Sequence, residues 1–458
     1  MRSNITDRGI ILGLLALNAL LKFSWLGVNE LSGDEPFTVF WATRPLNEFW
    51  QMLRTENNPP LYFLLIKAWT GCVPLEEAWL RVPSALFSVL TVWPLFLLAR
   101  GLGDTAMAVA ASLLFTFNNH QYGFAHEVRG YSLLLLLTTL AAWLVVRGVG
   151  SHPVRSTTML PVVFGALVWT HFFGWLVIGL LGICVHVLPE LRDERRRFLF
   201  ASLIAVGVFL PYGLIFFQRA GESIAHGTWV DPHGPEEIWH MVRRWSNQPV
   251  VTLLLLLPLL LVLFRGRLRP FALRFALLWW LLPLIGLWLV QWWVPAYVDR
   301  YLLFASVGFY LGTGYAVTNT VRTGTGRWAA PVVAIAAMAL TFTPWKDNDQ
   351  HPSRVAVQVR AWQGLAAKFP VLVHPFWYKP TLWAHMDRSV DSVAPWSQAW
   401  SEQYNDASGM THVEACDSLI LVYMAAKEDA GPPQEVEGLR KVEERQADVF
   451  VRVALYTR

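Results

Sequence analysis

The feature that most constrains this chain is a series of long apolar stretches that recurs from the N-terminus to about Trp345. A helix needs about 20 apolar residues to cross the roughly 30 Å hydrocarbon core of a bilayer. Hydropathy predicts about eleven such spans. They lie near residues 9–28, 79–99, 105–123, 131–147, 157–171, 173–189, 198–217, 249–264, 271–292, 301–319 and 328–345. The sequence therefore predicts a polytopic α-helical membrane protein.

The composition changes after the last predicted span. Residues 346–458 carry charges, prolines and only short apolar runs, which is typical of a small domain in water. The runs at 371–374, 418–423 and 449–456 have the length and β-branched content of strands, and helical patterns separate them. We therefore predict two domains, a membrane domain over 1–345 that carries the chemistry and a small extracytoplasmic α/β domain over 346–458.

Arginines at the span ends set the expected orientation. If the N-terminus is cytoplasmic, every strongly basic cluster falls on the cytoplasmic side, as the positive-inside rule requires. These clusters are Arg2 and Arg8, Arg100, Arg147 and Arg155, Arg192 with Arg195 to Arg197, Arg265, Arg267, Arg269 and Arg274, and Arg322 with Arg327. The prediction is a multi-pass protein of the inner (plasma) membrane, with its C-terminal domain and its acidic loops on the periplasmic, extracytoplasmic face.

Several function classes are excluded. The net charge of +4 comes from arginines at span ends and not from one basic face, which argues against nucleic acid as a partner. The three cysteines and the histidine spacing match no zinc site. No Walker loop or glycine-rich fingerprint indicates a nucleotide-bound donor. A donor delivered within the membrane is the alternative, and a divalent cation such as Mg²⁺ or Mn²⁺ is left open as a cofactor.

The first predicted external loop carries the adjacent carboxylates Asp34 and Glu35, directly after Gly33. Glycine allows a sharp turn because it has no Cβ. Paired acids where a span leaves the membrane also occur in loops that only follow the topology. The other polar motifs at the same membrane face make a catalytic site the better interpretation.

The same loop continues with the rigid unit Asn58-Pro59-Pro60, which a second asparagine, Asn57, precedes. The apolar stretch 59–71 behind it contains Tyr62 and Lys67 and is too short to span comfortably. It is predicted to form an interfacial or re-entrant helix. Helix initiation explains the prolines but not the paired asparagines.

The segment His126-Glu127-Val-Arg129-Gly-Tyr131 lies at the external mouth of the third and fourth predicted spans. Charged groups close to hydrocarbon are costly and usually face a polar cavity. The alternative is an arginine at a span end that extends its charged group to the interface.

Two further segments return to the same membrane face. The pair Thr170-His171 lies at a short turn between spans, where a structural role is at least as plausible as ligand contact. Arg300 and Tyr301 begin a span that leads toward the cytoplasm. The positive-inside tendency gives no reason for an arginine there, which indicates a functional cation.

Together, these motifs resemble the bacterial relatives of the dolichyl-phosphate-mannose protein mannosyltransferases. They belong to the GT-C superfamily, which also contains the aminoarabinose transferases that modify lipid A. The resemblance covers roughly residues 1–345. It rests, in chain order, on Gly33-Asp34-Glu35, Asn58-Pro59-Pro60-Leu61-Tyr62-Phe63, Arg81-Val-Pro-Ser-Ala, Glu127-x-Arg129-x-Tyr131, Thr170-His171-Phe-Phe-Gly and Arg300-Tyr301-Leu-Leu.

The resemblance implies a GT-C-like fold, a polyprenyl-phosphate sugar donor, and inverting transfer to an acceptor on a glycan, a lipid or a protein. It implies Asp34 as general base with Glu35 as its partner. Candidates for the donor phosphate are Arg129, Arg300, Tyr131 and Tyr301, and candidates for substrate contact are Asn58, Tyr62, Lys67, His126, Glu127 and His171. Where the lipid A transferases tend to have Lys-Pro, this chain has Asn-Pro-Pro, which argues against lipid A as the acceptor.

Two alternatives come from other function classes. A lipid or saccharide transporter, or flippase, would use the charged groups to line a translocation path, but the sequence has no inverted repeat. A membrane receptor would bind through its C-terminal domain, which leaves Asp34, Arg129 and Arg300 without a shared purpose.

Overall fold

The computed structural model describes residues 5–56, 58–148, 159–226, 232–265, 270–294, 297–320, 328–344, 350–363, 369–386, 394–395, 417–424, 431–436 and 438–458. Asn57, one half of the predicted asparagine pair, lies outside these residues, as does Cys416.

The chain is mostly helical, as its apolar stretches predict. In chain order the helices are α1 (Ile5–Phe23), α2 (Glu35–Thr43), α3 (Leu46–Thr55), α4 (Leu61–Thr70), α5 (Glu77–Leu102), α6 (Thr105–Thr116), α7 (Asn119–Ala125), α8 (Tyr131–Val146), α9 (Met159–Thr170), α10 (Phe173–Val187), α11 (Arg195–His226), α12 (Glu236–Arg244), α13 (Pro249–Phe264), α14 (Phe271–Val290), α15 (Ser306–Asn319), α16 (Ala329–Leu340), α17 (Pro352–Gln363) and α18 (Lys379–His385). Short 3₁₀ helices occupy Pro189–Glu194, Asp299–Ala305 and Phe376–Tyr378.

Among the described residues, four helical segments are long and apolar enough to cross a membrane: Glu77–Leu102, Pro189–Ile215, Phe271–Val290 and Asp299–Asn319. α12 and α13 pass the same test as a pair, bent by 93°. α4, α6, α8, α9, α10 and α16 are apolar but shorter. Each span predicted from hydropathy overlaps a helix, and the number of membrane crossings stays a prediction.

Contacts group the described chain into two compact units, and the first comprises Met1–Ser24, Asn57–Tyr62 and Arg81–Trp345. α15 lies at its centre, where glycines permit close helix packing. A Cβ added to Gly308 would lie 2.6 Å from the backbone nitrogen of Trp280 in α14, and one added to Gly314 would lie 3.1 Å from that of Ala111 in α6. Small residues bring apolar helices together in this way in membranes.

The second unit comprises Trp25–Glu56, Phe63–Leu80 and Lys346–Arg458. Its six-stranded sheet has the order β2-β1-β3-β6-β5-β4. β1 is parallel to β2 and β3, and the remaining pairs are antiparallel. The strands are β1 (Val371–His374), β2 (Ala394–Pro395), β3 (Ser418–Met424), β4 (Glu435–Val436), β5 (Leu439–Asp448) and β6 (Val451–Thr457). The prediction of a small C-terminal fold with strands is confirmed, whereas the domain boundaries at 345 and 346 stay a prediction.

The core of this sheet explains which strands hydropathy detects. β1, β3 and β6 contribute buried apolar side chains, among them Val373, Val422 and Val453, to one core cluster with α17 and α18. These strands match the three runs read from the sequence. β5 has the sequence LRKVEERQAD, in which only two residues are buried, so no apolar run marks it.

Candidate active site

The acidic pair occupies the start of α2, in the second unit. Gly33 has a φ of +58°, the left-handed region that favours glycine, and the sharp turn expected there is present. Asp34 is the N-cap residue of α2, and Glu35 is its first residue, followed by proline. Proline is common at this position because its missing N–H would have no partner within the helix.

The two carboxylates have different surroundings. Glu35 is buried, and its Oε2 accepts a hydrogen bond from the backbone N–H of Ser32 at 3.4 Å, which braces the turn. Asp34 is half-buried, and its side chain makes no capping hydrogen bond to α2. The helix therefore does not occupy the Asp34 carboxylate as a cap.

Lys67, on α4 in the same unit, contacts the other end of α2. Its Nζ donates to the backbone carbonyls of Ala42 at 3.2 Å and Arg44 at 2.5 Å, and it lies 4.9 Å from the ring centroid of Phe49. The last carbonyls of a helix lack partners within the helix and carry partial negative charge, so a lysine stabilises them. These contacts give Lys67 a structural role, and its assignment to substrate stays a prediction.

In the first unit, Tyr62 supports the turn that carries Arg129. Its hydroxyl lies 2.7 Å from Ser84 Oγ, which donates to the carbonyl of Arg129 at 3.4 Å. A Cβ on Gly130 would lie 3.3 Å from Cβ of Tyr62. Asn58, four residues earlier, accepts a hydrogen bond from the Tyr212 hydroxyl with its backbone carbonyl at 3.4 Å. The Asn-Pro-Pro segment thus contributes to the packing behind Arg129.

His126 is held by the end of α1. Its Nε2 lies 2.8 Å from the carbonyl of Lys22, and the hydroxyl of Tyr122 donates to the carbonyl of Ser24 at 2.9 Å. The pKa of His126 is lowered to about 3, first by burial and to a lesser extent by the charges of Lys22 and Arg81, while the hydrogen bond to the Lys22 carbonyl opposes the shift. His126 is therefore neutral and donates from Nε2. This contact gives it a structural role, and its contact with substrate stays a prediction.

His171 lies in the turn between α9 and α10, and it is surrounded by cations. Burial lowers its pKa to about 3, and the positive charges of Arg129 and Arg300 contribute to the same shift. A guanidinium group influences a pKa in this way only at short range. Arg129 and Arg300, far apart in sequence, therefore both act electrostatically on the same imidazole.

The hydrogen bonds of His171 define its tautomer. Its Nδ1 accepts the backbone N–H of Phe173 at 3.2 Å, so the proton of the neutral ring is on Nε2. Nε2 is buried and has no hydrogen-bond partner among the described residues. A buried N–H without a partner costs about 1–3 kcal/mol, which is a reason to expect a ligand acceptor there.

Aromatic rings complete this region. The ring centroids of Tyr131 and Tyr301 lie 5.7 Å and 5.8 Å from that of His171, and Tyr301 stacks on Phe173 at 4.6 Å. The Arg300 guanidinium lies 5.6 Å from the centre of the Tyr301 ring. We refer to Arg129, Tyr131, His171, Arg300 and Tyr301 as the cationic cluster.

Asp299 fixes the backbone that carries Arg300. Its Oδ1 accepts the N–H of Arg300 at 2.8 Å, and its Oδ2 lies 3.6 Å from Nε2 of His120 and 3.9 Å from Nε of Arg244. The sequence analysis missed His120 and Arg244. The polar run Asn118-Asn119-His120 between apolar stretches was a usable signal for His120, whereas Arg244 had none.

Glu127 is half-buried, and its carbonyl accepts the N–H of Arg129 at 2.7 Å, which closes the tight turn before α8. Within the described ranges, no group of three or more His, Cys, Asp or Glu side chains is arranged to hold a metal ion. A cation at Asp34 would need most of its ligands from substrate and water.

Comparisons with known proteins place this fold. No protein-family model and no curated protein sequence matches the chain. Its structure is similar to that of ArnT from Cupriavidus metallidurans in the apo state, with a TM-score of 0.64 and 13% identity over 98% of each chain. The same enzyme bound to undecaprenyl phosphate gives 0.62 at 13% identity, again over 98% of each chain.

The oligosaccharyltransferase AglB from Archaeoglobus fulgidus, in complex with an inhibitory peptide and a dolichol-phosphate, gives a TM-score of 0.54 at 11% identity. The match covers 92% of this chain and 70% of AglB. The fold that the resemblance implies is thereby confirmed, because the chain shares the fold of ArnT and AglB.

Proposed function

We propose that this chain is an integral membrane glycosyltransferase that moves a sugar from a polyprenyl-phosphate donor to an acceptor hydroxyl. The observation that carries the proposal is the buried imidazole of His171, whose Nε2 has no partner among the described residues. Its ring lies beside those of Tyr131 and Tyr301, which are close in sequence to Arg129 and Arg300. The shared fold supports it, because similar structures hold undecaprenyl phosphate in ArnT and dolichol-phosphate in AglB. The basic span ends support a reaction at the extracytoplasmic face of the plasma membrane.

The cationic cluster has the chemistry that a phosphate ester requires. A guanidinium is planar, matches two phosphate oxygens and keeps its charge in a partly desolvated site. His171 adds a neutral N–H donor from Nε2. Donors fixed in advance stabilise the negative charge that grows on the phosphate as the sugar departs.

Asp34 is the proposed general base. The acceptor hydroxyl attacks the anomeric carbon opposite the phosphate, and its proton passes to the Asp34 carboxylate. A new bond joins the anomeric carbon to the acceptor oxygen, the bond to the phosphate oxygen breaks, and polyprenyl phosphate leaves with the electron pair. Attack from the face opposite the leaving group inverts the anomeric centre.

The remaining site residues support these groups. Glu35 braces the turn before α2, and Tyr62 backs the turn at Arg129. Asn58 and Glu127 are the candidates for contact with sugar or acceptor. A divalent cation such as Mg²⁺ or Mn²⁺, if bound, would neutralise phosphate charge, and none of these steps depends on it.

The proposal is tested with the purified chain in liposomes that contain undecaprenyl phosphate bearing a labelled hexose or pentose. Membrane extracts supply glycan, lipid and protein acceptors. We expect labelled acceptor and free undecaprenyl phosphate to appear together. If the label crosses the bilayer while the donor stays intact, the chain is a transporter, and if neither occurs for any lipid-linked sugar, the proposed function is wrong.

A further inference from the structure

The acidic turn is attached to the C-terminal domain by a carboxylate. Glu30 lies four residues before Asp34, and its Oε1 accepts the hydroxyl of Ser353 at 2.6 Å while its Oε2 accepts the backbone N–H of Ser353 at 2.8 Å. Ser353 is in the first turn of α17, where backbone N–H groups lack partners within the helix. The ionised Glu30 supplies a partner and lies at the favourable end of the helix dipole.

α18, a second helix of the C-terminal domain, contacts residues before and after the acidic pair. His385, at the end of α18, lies 3.0 Å through Nε2 from the carbonyl of Leu31. Trp383 meets Phe40 of α2 edge to face, with ring centroids 5.1 Å apart. All of these residues belong to the second compact unit.

Both helices are anchored in the core of the C-terminal sheet. Val355 and Val359 of α17 and Leu382 of α18 are buried in one cluster with Val373 of β1. Core side chains of this kind are close-packed and resist displacement. The helices that hold the acidic turn are therefore fixed to the sheet and not to a mobile segment.

We infer that the C-terminal domain positions the acidic pair, and that Glu30 and Ser353 are the positioning residues that transmit its hold. The inference rests on the proposed function of Asp34. The turn from Glu30 to Asp34 contains a left-handed glycine and no regular structure, so its backbone depends on outside contacts for its position. Glu30 and Ser353 act on the reaction through the placement of Asp34.

The test compares Ser353→Ala, which removes the hydroxyl, with Ser353→Thr, which keeps it. We expect kcat to fall by roughly 10- to 100-fold in Ser353→Ala, since a misplacement of about 1 Å can cost 10²-fold. In Ser353→Ala, the affinity for undecaprenyl phosphate and the thermal midpoint of unfolding should stay at the parent values. Ser353→Thr should retain most of the parent turnover. Glu443→Gln is the matched control, because Glu443 pairs with Arg445 on β5 of the same domain.

A double variant tests whether Glu30 and Ser353 act together. The double variant Glu30→Gln with Ser353→Ala should turn over no more slowly than the slower of the two single variants. Both substitutions disrupt the same contact, so their effects should not add. Amide hydrogen exchange over residues 30–43 should rise in Ser353→Ala and stay unchanged in Glu443→Gln. Normal turnover and exchange in Ser353→Ala, in a parent chain that transfers sugar, would overturn the inference, whereas a parent chain without transfer would refute the proposed function instead.

Discussion

Two turns of the first compact unit each carry a histidine. One turn lies between α7 and α8, and the other lies between α9 and α10. His126 and His171 are both largely enclosed, and the pKa of each is lowered to about 3, first by burial. They differ in what their Nε2 atoms contact. That of His126 reaches the carbonyl of Lys22, whereas that of His171 has no partner among the described residues.

The difference teaches that two histidines with the same charge state and similar burial can differ in their hydrogen bonds. A buried polar group without a partner is expensive, so we expect His171, and not His126, to contact a ligand. The two carboxylates of the acidic turn also differ, because Glu35 accepts the N–H of Ser32, whereas the Asp34 side chain does not cap α2.

The largest expected effect comes from Asp34. Asp34→Asn keeps the shape of the side chain but cannot accept a proton, so transfer should fall by about 10²- to 10⁴-fold while donor binding persists. Glu35→Gln should cost less, because the amide oxygen still accepts the N–H of Ser32. Turnover and donor affinity of the purified variants in lipid measure both. Near-normal turnover in Asp34→Asn would remove the general base from the mechanism.

The arginines of the cationic cluster come next. Arg129→Ala or Arg300→Ala should weaken donor binding and turnover together, since a cation on the phosphate acts in both the ground state and the transition state. The expected loss is about 10- to 100-fold, from a charge-assisted hydrogen bond worth about 1.5–3 kcal/mol. Arg197→Lys, at the Glu194 ion pair elsewhere in the unit, is the control. A turnover loss with unchanged donor affinity would remove the arginine from the phosphate.

The histidine comparison can be tested directly with two amides at each position. The amide of Asn at position 171 can still accept the N–H of Phe173, as in an Asx turn, but it has no donor at the place of Nε2. Gln presents its amide there instead. His171→Asn should leave stability near the parent value and lower donor affinity by roughly tenfold, for a hydrogen bond of about 1 kcal/mol. His171→Gln should lose less affinity.

At position 126 the same pair of changes should affect stability and not affinity. His126→Gln retains a donor for the carbonyl of Lys22, whereas His126→Asn does not, so only the latter should lower the free energy of unfolding. If His126 variants lost donor affinity at unchanged stability, the division between the two turns would be wrong.

The last prediction concerns pH. Each histidine has a folded-state pKa near 3, below its ordinary value of 6.5. The unfolded chain therefore binds more protons as pH falls from 6.5 toward 3, and stability decreases in that window by at most about 1.4 kcal/mol per pH unit and histidine. His126→Gln should flatten the dependence of unfolding on pH. A parent chain equally stable at pH 4 and pH 7 would contradict the buried neutral state of both rings.

Much of the fold follows from local patterns in the sequence. Each apolar stretch of span length overlaps a helix of the structure, and short apolar runs marked β1, β3 and β6. β5 was not predicted because charged and polar residues occupy most of its positions and leave no apolar run. Gly33 predicted the sharp turn correctly. The turn requires a positive φ at this position, which glycine adopts without steric cost.

The site was less accessible to such patterns. Motifs identified Arg129, His171 and Arg300, but only the structure places the two guanidinium groups near one ring and leaves its Nε2 without a partner. The bond between Glu30 and Ser353 joins residues 323 positions apart, and no local pattern encodes such a contact. The carbonyl contacts of Lys67 and His126 could not be read from the sequence, because the helix carbonyls that they contact carry no signal of their own. Contact of these two residues with substrate stays a prediction.

The most direct measurement of the central claim is an experimental structure of the full chain in lipid with undecaprenyl phosphate bound. The account predicts that the phosphate lies within hydrogen-bond distance of the guanidinium groups of Arg129 and Arg300 and of Nε2 of His171. A phosphate bound elsewhere, with the two arginines in separate environments and His171 untouched, would contradict it.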